Sequence, residues 1–189
     1  MKEHKQADNA QLIRREFLGK YKDVVCPIIL RTTGAGRPSL VTFLGNMRAL
    51  EFEVNDQQDL ECIEIPHEYE LGSEIEVHVH WATSGDNNGT ERGVKWELEL
   101  SYTKNGVFIT PITSSQETLI APNEVAKTSK YTSLLRFTPD IDNVGNQIIM
   151  SIKRIASTAP APADDPVILQ IGIHVKVDGL GSNFLNRKK

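Results

Sequence analysis

From Met47 onward, polar and apolar residues alternate with a period of two, and this limits the fold more than any other property of the 189-residue chain. Successive side chains of a β-strand point to opposite faces, so alternation marks a strand with one buried and one wet side, and it is incompatible with a helix. Residues 48–54 set Leu50, Phe52 and Val54 against Glu51 and Glu53, and residues 60–65 continue the pattern as far as Pro66. Residues 74–81 set Ile75, Val77, Val79 and Trp81 against Glu74, Glu76, His78 and His80. Residues 94–102 set Val94, Trp96, Leu98, Leu100 and Tyr102 against Lys95, Glu97, Glu99 and Ser101. Asn105-Gly106 is a two-residue hairpin turn into residues 107–109. Further strands are expected at 116–120, 131–137, 147–155 and 167–177, the last with Val167, Leu169, Ile171, Ile173, Val175 and Val177 on one face. Eight or nine such strands, joined by turn-rich loops, predict an all-β fold: antiparallel sheets packed as a β-sandwich, with a jelly roll the leading topology.

The first 46 residues read differently. Asp8 can cap one short helix over residues 9–21, with Leu12, Ile13, Phe17, Leu18 and Tyr21 on its apolar side and Gly19 weakening it. Residues 23–46 carry Pro27, Gly34, Gly36, Pro38 and Gly45 around short apolar runs that include Ile28, Ile29, Leu30 and Phe43. That spacing suits an extended arm docking apolar side chains on a neighbour. The expected organisation is an N-terminal arm, 1–46, and a β-sandwich domain, 47–189.

Composition excludes several classes of function. There is no run of eighteen apolar residues to cross a membrane as a helix, and the first residues contain no apolar stretch like that of a secretory signal, so synthesis in a cytoplasm is expected. Cys26 and Cys62 stand far apart and in no metal-ligand spacing. Residues 47–120 hold 4 Lys/Arg against 15 Asp/Glu, whereas residues 1–31 hold 7 against 4. An acidic middle repels phosphate backbones, so no nucleic-acid partner is expected. Basic ends around an acidic body fit an arm lying on a neighbouring subunit, and they fit a merely solvated surface equally well.

Among residues that could carry chemistry, His78-Val79-His80 stands out, because two histidines at i, i+2 on a strand share a face and can share a metal. Gly72 lies six residues before His78, which is similar to the first half of the cupin motif. The second half is missing: Ser84 and Gly85 stand where that motif has a glutamate. Glu74 and Glu76 also place the pair on the wetter face, so an exposed or subunit-facing sheet surface is the expectation, with no metal and no cofactor. His174, beside Gln170 and Lys176, would complete a three-histidine site only if its strand adjoins the first. The segment 32–37 lacks the ending of a phosphate loop, and 86–91 lacks the spacing of a calcium loop. No Gly-x-Ser-x-Gly elbow occurs, and the carboxylate pairs Glu51/Glu53 and Glu97/Glu99 lie on wet strand faces, so no catalytic set is expected.

The stretch 65–81, with its Pro66-His67 turn, Gly72 and the ending His78-Val79-His80-Trp81, resembles a segment of virion structural proteins of tailed bacteriophages. Residues 93–102 resemble the next strand of that family, and 173–182 its final strand with an Asp-x-Leu-Gly-Ser tail. The resemblance implies a non-enzymatic jelly-roll subunit of the virion, made in the host cytoplasm. The expected function is that of a capsid decoration or cement protein, which stabilises the shell through its arm and through self-association as a trimer or dimer. Its partners would be the major capsid protein or other virion proteins. A tail or collar component is the alternative within this class, and a cupin-like metal-binding enzyme using His78, His80 and His174 the alternative from another. A carbohydrate-binding sandwich would need exposed aromatics, whereas Trp81 and Trp96 lie on the apolar faces of their strands.

Overall fold

A computed structural model of the chain describes residues 20–29 and 36–178. Among these residues every regular element is a strand: β1 (Lys20–Val25), β2 (Ile28–Ile29), β3 (Ser39–Leu44), β4 (Met47–Glu51), β5 (Gln57–Leu60), β6 (Ile63–Glu64), β7 (Ile75–Ala82), β8 (Arg92–Lys104), β9 (Val107–Phe108), β10 (Ile112–Ile120), β11 (Ser129–Phe137), β12 (Gln147–Ile155) and β13 (Val167–Val177). The helix expected over 9–21 lies outside the described residues except for its last two, Lys20 and Tyr21. These two open β1 and pair with Val177 and Lys176, so at this end the helix reading is corrected to strand.

The strands form two antiparallel sheets that pack as a sandwich. The first has the order β11-β7-β13-β4-β3, and β1 also pairs with β13. The second has the order β10-β8-β12-β5-β2, with β6 on β12 and β9 on β8. One long edge of β13 is shared: β4 takes Val167 and Ile168, and β1 takes residues 172–177.

The alternation read from the sequence sets the two inner faces. Ile75, Val77, Val79 and Trp81 of β7 are all fully buried, as are Val94, Trp96, Leu98 and Leu100 of β8. Trp81 and Trp96 meet edge to face, centroids 6.2 Å apart, and Phe52 closes on Trp96 at 5.4 Å. Such pairs add directional preference to the area they bury. The sheets are also joined by hydroxyls: Trp81 Nε1 donates to Thr132 Oγ1 (2.9 Å), which lies 2.6 Å from Thr118 Oγ1 of the other sheet. The Asn105-Gly106 turn has positive φ at both positions, 53° and 78°, as a hairpin whose twist matches its strands requires.

Register shifts interrupt simple alternation on β3, β11 and β13. On β13 the register shifts between Ile168 and Gln170, so that Val167 and Ile168 are both buried and Leu169 is exposed. A bulge inserts one residue and reverses which side faces in, which the period-two reading could not contain. Residues 20–29, read as arm, are hydrogen-bonded to both sheets. Beyond β1, Cys26 N donates to Ile171 O (2.8 Å), then Glu61 N donates to Pro27 O (2.8 Å) and β2 pairs with β5. The segment crosses from one sheet to the other and straps that side of the sandwich. The loop 156–166 runs over the surface, fixed by an ion pair between buried Arg154 and half-buried Asp165 and by Glu117, whose carboxylate accepts from Thr158 N and Ala159 N.

Candidate functional site

The densest group of titratable side chains on the described surface lies on the outer face of the first sheet. Directly opposed residues of antiparallel strands share a face, and the register therefore lays out the group row by row. Tyr131 of β11, His80 of β7 and Gln170 of β13 form one row. Ser133, His78, Gly172 and Val25 form the next. Arg136, Glu76, His174 and Asp23 form the third.

His78 is at the centre, and it is 0% exposed although it stands on the outer face. Three rings cover it: His174 at a centroid distance of 4.2 Å, His80 at 5.1 Å and Tyr131 at 5.2 Å, the last stacked. Its cross-strand partner is Gly172. A methyl group there would lie 3.1 Å from Cε1 and Nε2 of the His78 ring and 2.8 Å from Asp23 Oδ1, so glycine lets the ring and the carboxylate approach across the strand. The gap between Nε2 and Oδ1 is 3.9 Å, and neither ring nitrogen of His78 has a hydrogen-bond partner among the described residues. Burial, followed by the charges of His174 and His80, pushes its pKa down to about 4 against the pull of Asp23 and Glu76, so the ring is neutral at physiological pH.

Glu76 is the ionised counterpart. Burial works against its charge, but hydrogen bonds from Ser133, His174, Tyr131 and Arg136 outweigh burial and hold its pKa at about 2. Arg136 donates to Oε1 through Nε (3.2 Å) and Nη2 (3.0 Å), and His174 Nδ1 lies 3.3 Å from Oε2. The Tyr131 phenol, desolvated and bonded to this carboxylate, is raised to about 12. Next to the cluster is a hollow of about 350 Å³ lined by Tyr21, Glu74, Glu76, Arg136 and His174.

Of the three histidines named from sequence, the strand order brings all of them to one face, because β13 lies beside β7. Donor atoms of Asp23, His78 and His174 lie within 4.8 Å of one another, and His80 is outside that set. His78 is not the exposed side chain expected of a wet strand face. Asp23 was missed because only long-range pairing of β1 brings it there; the local sequence around it carries no signal. Glu76 could have been found, since it precedes His78 by two residues and shares its face.

The other candidates resolve locally. The loop that holds Asn87 joins β7 of the first sheet to β8 of the second and is not the expected hairpin; Asn87 braces it by donating to the carbonyls of Thr90 (2.9 Å) and Ala121 (2.6 Å), and Asp86 accepts from Ala126 N (2.7 Å). His67 pairs with Glu64 at 3.2 Å. Of the expected interface residues, Leu12, Ile13, Phe17, Leu18 and Leu30 lie outside the described residues. Tyr21 and Ile29 are exposed, Ile28 packs against the core, and half-buried Phe43 sits beneath Lys127 Nζ at 4.6 Å. No protein-family model matches this chain, and no curated protein matches it.

Proposed function

We propose that this chain is a non-enzymatic structural subunit of a tailed-bacteriophage virion, a decoration or cement protein that associates with copies of itself and with the capsid shell. The observation that carries the reading is the placement of exposed apolar side chains. Tyr21, Val25, Ile29, Leu40, Leu44 and Met47 lie within the short span of β1 to β4, with Tyr21 66% and Met47 62% exposed, while others such as Val107 and Val125 are scattered over later strands and loops. β1, β2 and β3 lie at sheet edges, and edge strands that present apolar side chains to water mark a surface awaiting a partner. The uneven charge supports association as well, since the basic N-terminal residues are complementary to the acidic stretch 47–120 of a second copy.

The strand order supports a jelly roll. Take β4, β5, β7, β8, β10, β11, β12 and β13 as eight successive principal strands. The first sheet then has the order sixth-third-eighth-first and the second fifth-fourth-seventh-second, the interleaving of two Greek keys. The histidine cluster lies on the outer face of a sheet, whereas apolar side chains fill the space between the sheets, and this favours a structural role over a cupin-like one.

Light scattering on the full chain tests the reading. The wild type is expected to run as a discrete dimer or trimer, and a Tyr21→Ser/Val25→Ser/Met47→Ser variant as a folded monomer with an unchanged melting temperature. A monomeric wild type at high concentration, or a variant of unchanged mass, would refute it.

A further inference from the structure

We propose that Asp23, His78 and His174 bind a divalent transition-metal ion, Zn²⁺ in first place, and that the ion ties β1 to the face of the first sheet. The proposal does not depend on the virion reading. Two imidazoles and one carboxylate are a donor set suited to Zn²⁺, Co²⁺ and Ni²⁺, and three protein ligands leave a fourth position for water.

Four observations converge on this site. The donor atoms already lie within 4.8 Å of one another. Tetrahedral ligands about 2.0–2.1 Å from zinc stand about 3.3 Å apart. The 3.9 Å between His78 Nε2 and Asp23 Oδ1 therefore needs to close by only about half an ångström. Asp23 is exposed on an edge strand and can make that adjustment. Second, His78 is wholly buried and both its nitrogens are unpartnered among the described residues, a state that native interiors rarely tolerate without a ligand or water. An ion gives one of these nitrogens its partner.

Third, Gly172 keeps the space between the two ligand atoms clear, since any side chain there would meet both of them. Fourth, Glu76 stands behind His174. With Nδ1 donating to Glu76 Oε2, the lone pair of His174 is left on Nε2, the carboxylate–histidine arrangement that orients and strengthens metal-bound imidazoles. The local charge suits a cation as well. Asp23 and Glu76 bring two carboxyl side chains to the group, and among the described residues Arg136 is bonded to it through Glu76. The hollow beside His174 gives an ion access from solvent.

The test uses the full chain without a histidine tag, stripped with chelator and titrated with Zn²⁺ by calorimetry and with Co²⁺ by visible absorption. One equivalent per chain is expected, with the intense bands of four-coordinate Co²⁺ and a Zn²⁺-dependent rise in melting temperature. Asp23→Asn and His174→Gln each lower the affinity at least about tenfold and abolish the thermal shift. Glu76→Gln weakens binding by a similar factor from outside the ligand set, and His67→Gln changes nothing. Asp23 and His174 are not needed for the core, so both variants fold and remain informative. Absence of stoichiometric binding, or binding that survives both substitutions, would overturn the proposal.

Discussion

His78 shows how one residue can be read correctly as to face and wrongly as to environment. Alternation places it opposite Val77 and Val79, on the outer side of β7, and it is there. Its burial comes from His80 on its own strand, Tyr131 on β11, His174 on β13 and the missing side chain at Gly172, and only the first of these is local in sequence. The same arrangement has a consequence for acid stability. Unfolded, His78 titrates near 6.5; folded, its pKa is about 4. Above pH 6.5 both states are neutral and this residue contributes no slope. Between 6.5 and 4 the unfolded chain takes up a proton that the folded one refuses, so stability falls as pH falls. The groups facing the ring are Asp23 from β1, Glu76 and His80 from β7, Tyr131 from β11 and His174 from β13, and their net effect is already contained in the depressed value. Metal-free wild type is therefore expected to lose about 2–3 kcal/mol between pH 7 and 4 that a His78→Phe variant does not lose. Urea unfolding in chelator across that range measures the difference; parallel pH profiles for the two proteins would contradict it. Glu76, held at about 2, adds a further loss only below pH 4.5, and both proteins share it.

At the scale of elements, legibility followed length and contrast. β7, β8, β11, β12 and β13 run for eight residues or more and alternate strongly, and their positions were readable to within a few residues. β1, β2 and β3 were not read as strands. β2 has only two residues, and β1, Lys-Tyr-Lys-Asp-Val-Val, has no alternation to read because five of its six residues are exposed. Its strand conformation is imposed by the edge of β13, a long-range effect that local pattern cannot carry. The kink between β1 and β2 can be followed chemically. Cys26 is buried there, and desolvation, with a smaller push from the charge of Asp23, raises its thiol to about 12. Cys62 is exposed. A thiol reagent is expected to modify Cys62 at once and Cys26 only at the rate at which the 20–29 strap opens, so that labelling of Cys26 accelerates sharply in mild denaturant. Mass spectrometry of a quenched time course resolves the two. Equal rates at both cysteines under native conditions would mean that the strap is not seated on the sheets.

For the whole molecule, the open question is whether residues before 47 are an appendage or part of the body. The sequence separates them, because the period-two pattern begins at Met47 and proline and glycine crowd the preceding segment. The strand pairing joins them: β1 covers β13 from Gly172 to Val177, Cys26 and Pro27 pass the chain from one sheet to the other, and β3 forms a hairpin with β4. Val24, Cys26 and Ile28 bury apolar surface against the core along this path. An arm that only reaches for neighbours could be deleted at little cost to the fold. Deletion of a strap removes that burial and leaves the backbone of β13 unpaired over six residues, an exposed edge prone to indiscriminate pairing. Removing residues 1–29 is therefore expected to cost at least about 3 kcal/mol and to produce concentration-dependent aggregation. The surface variant with serines at 21, 25 and 47 keeps the strap and should lose only its specific association. Measuring melting temperature and solution mass on both proteins separates the two roles of the same segment. A truncated chain that stays monodisperse and melts with the wild type would make residues 1–29 an appendage after all, and the rigid body would then begin at β3.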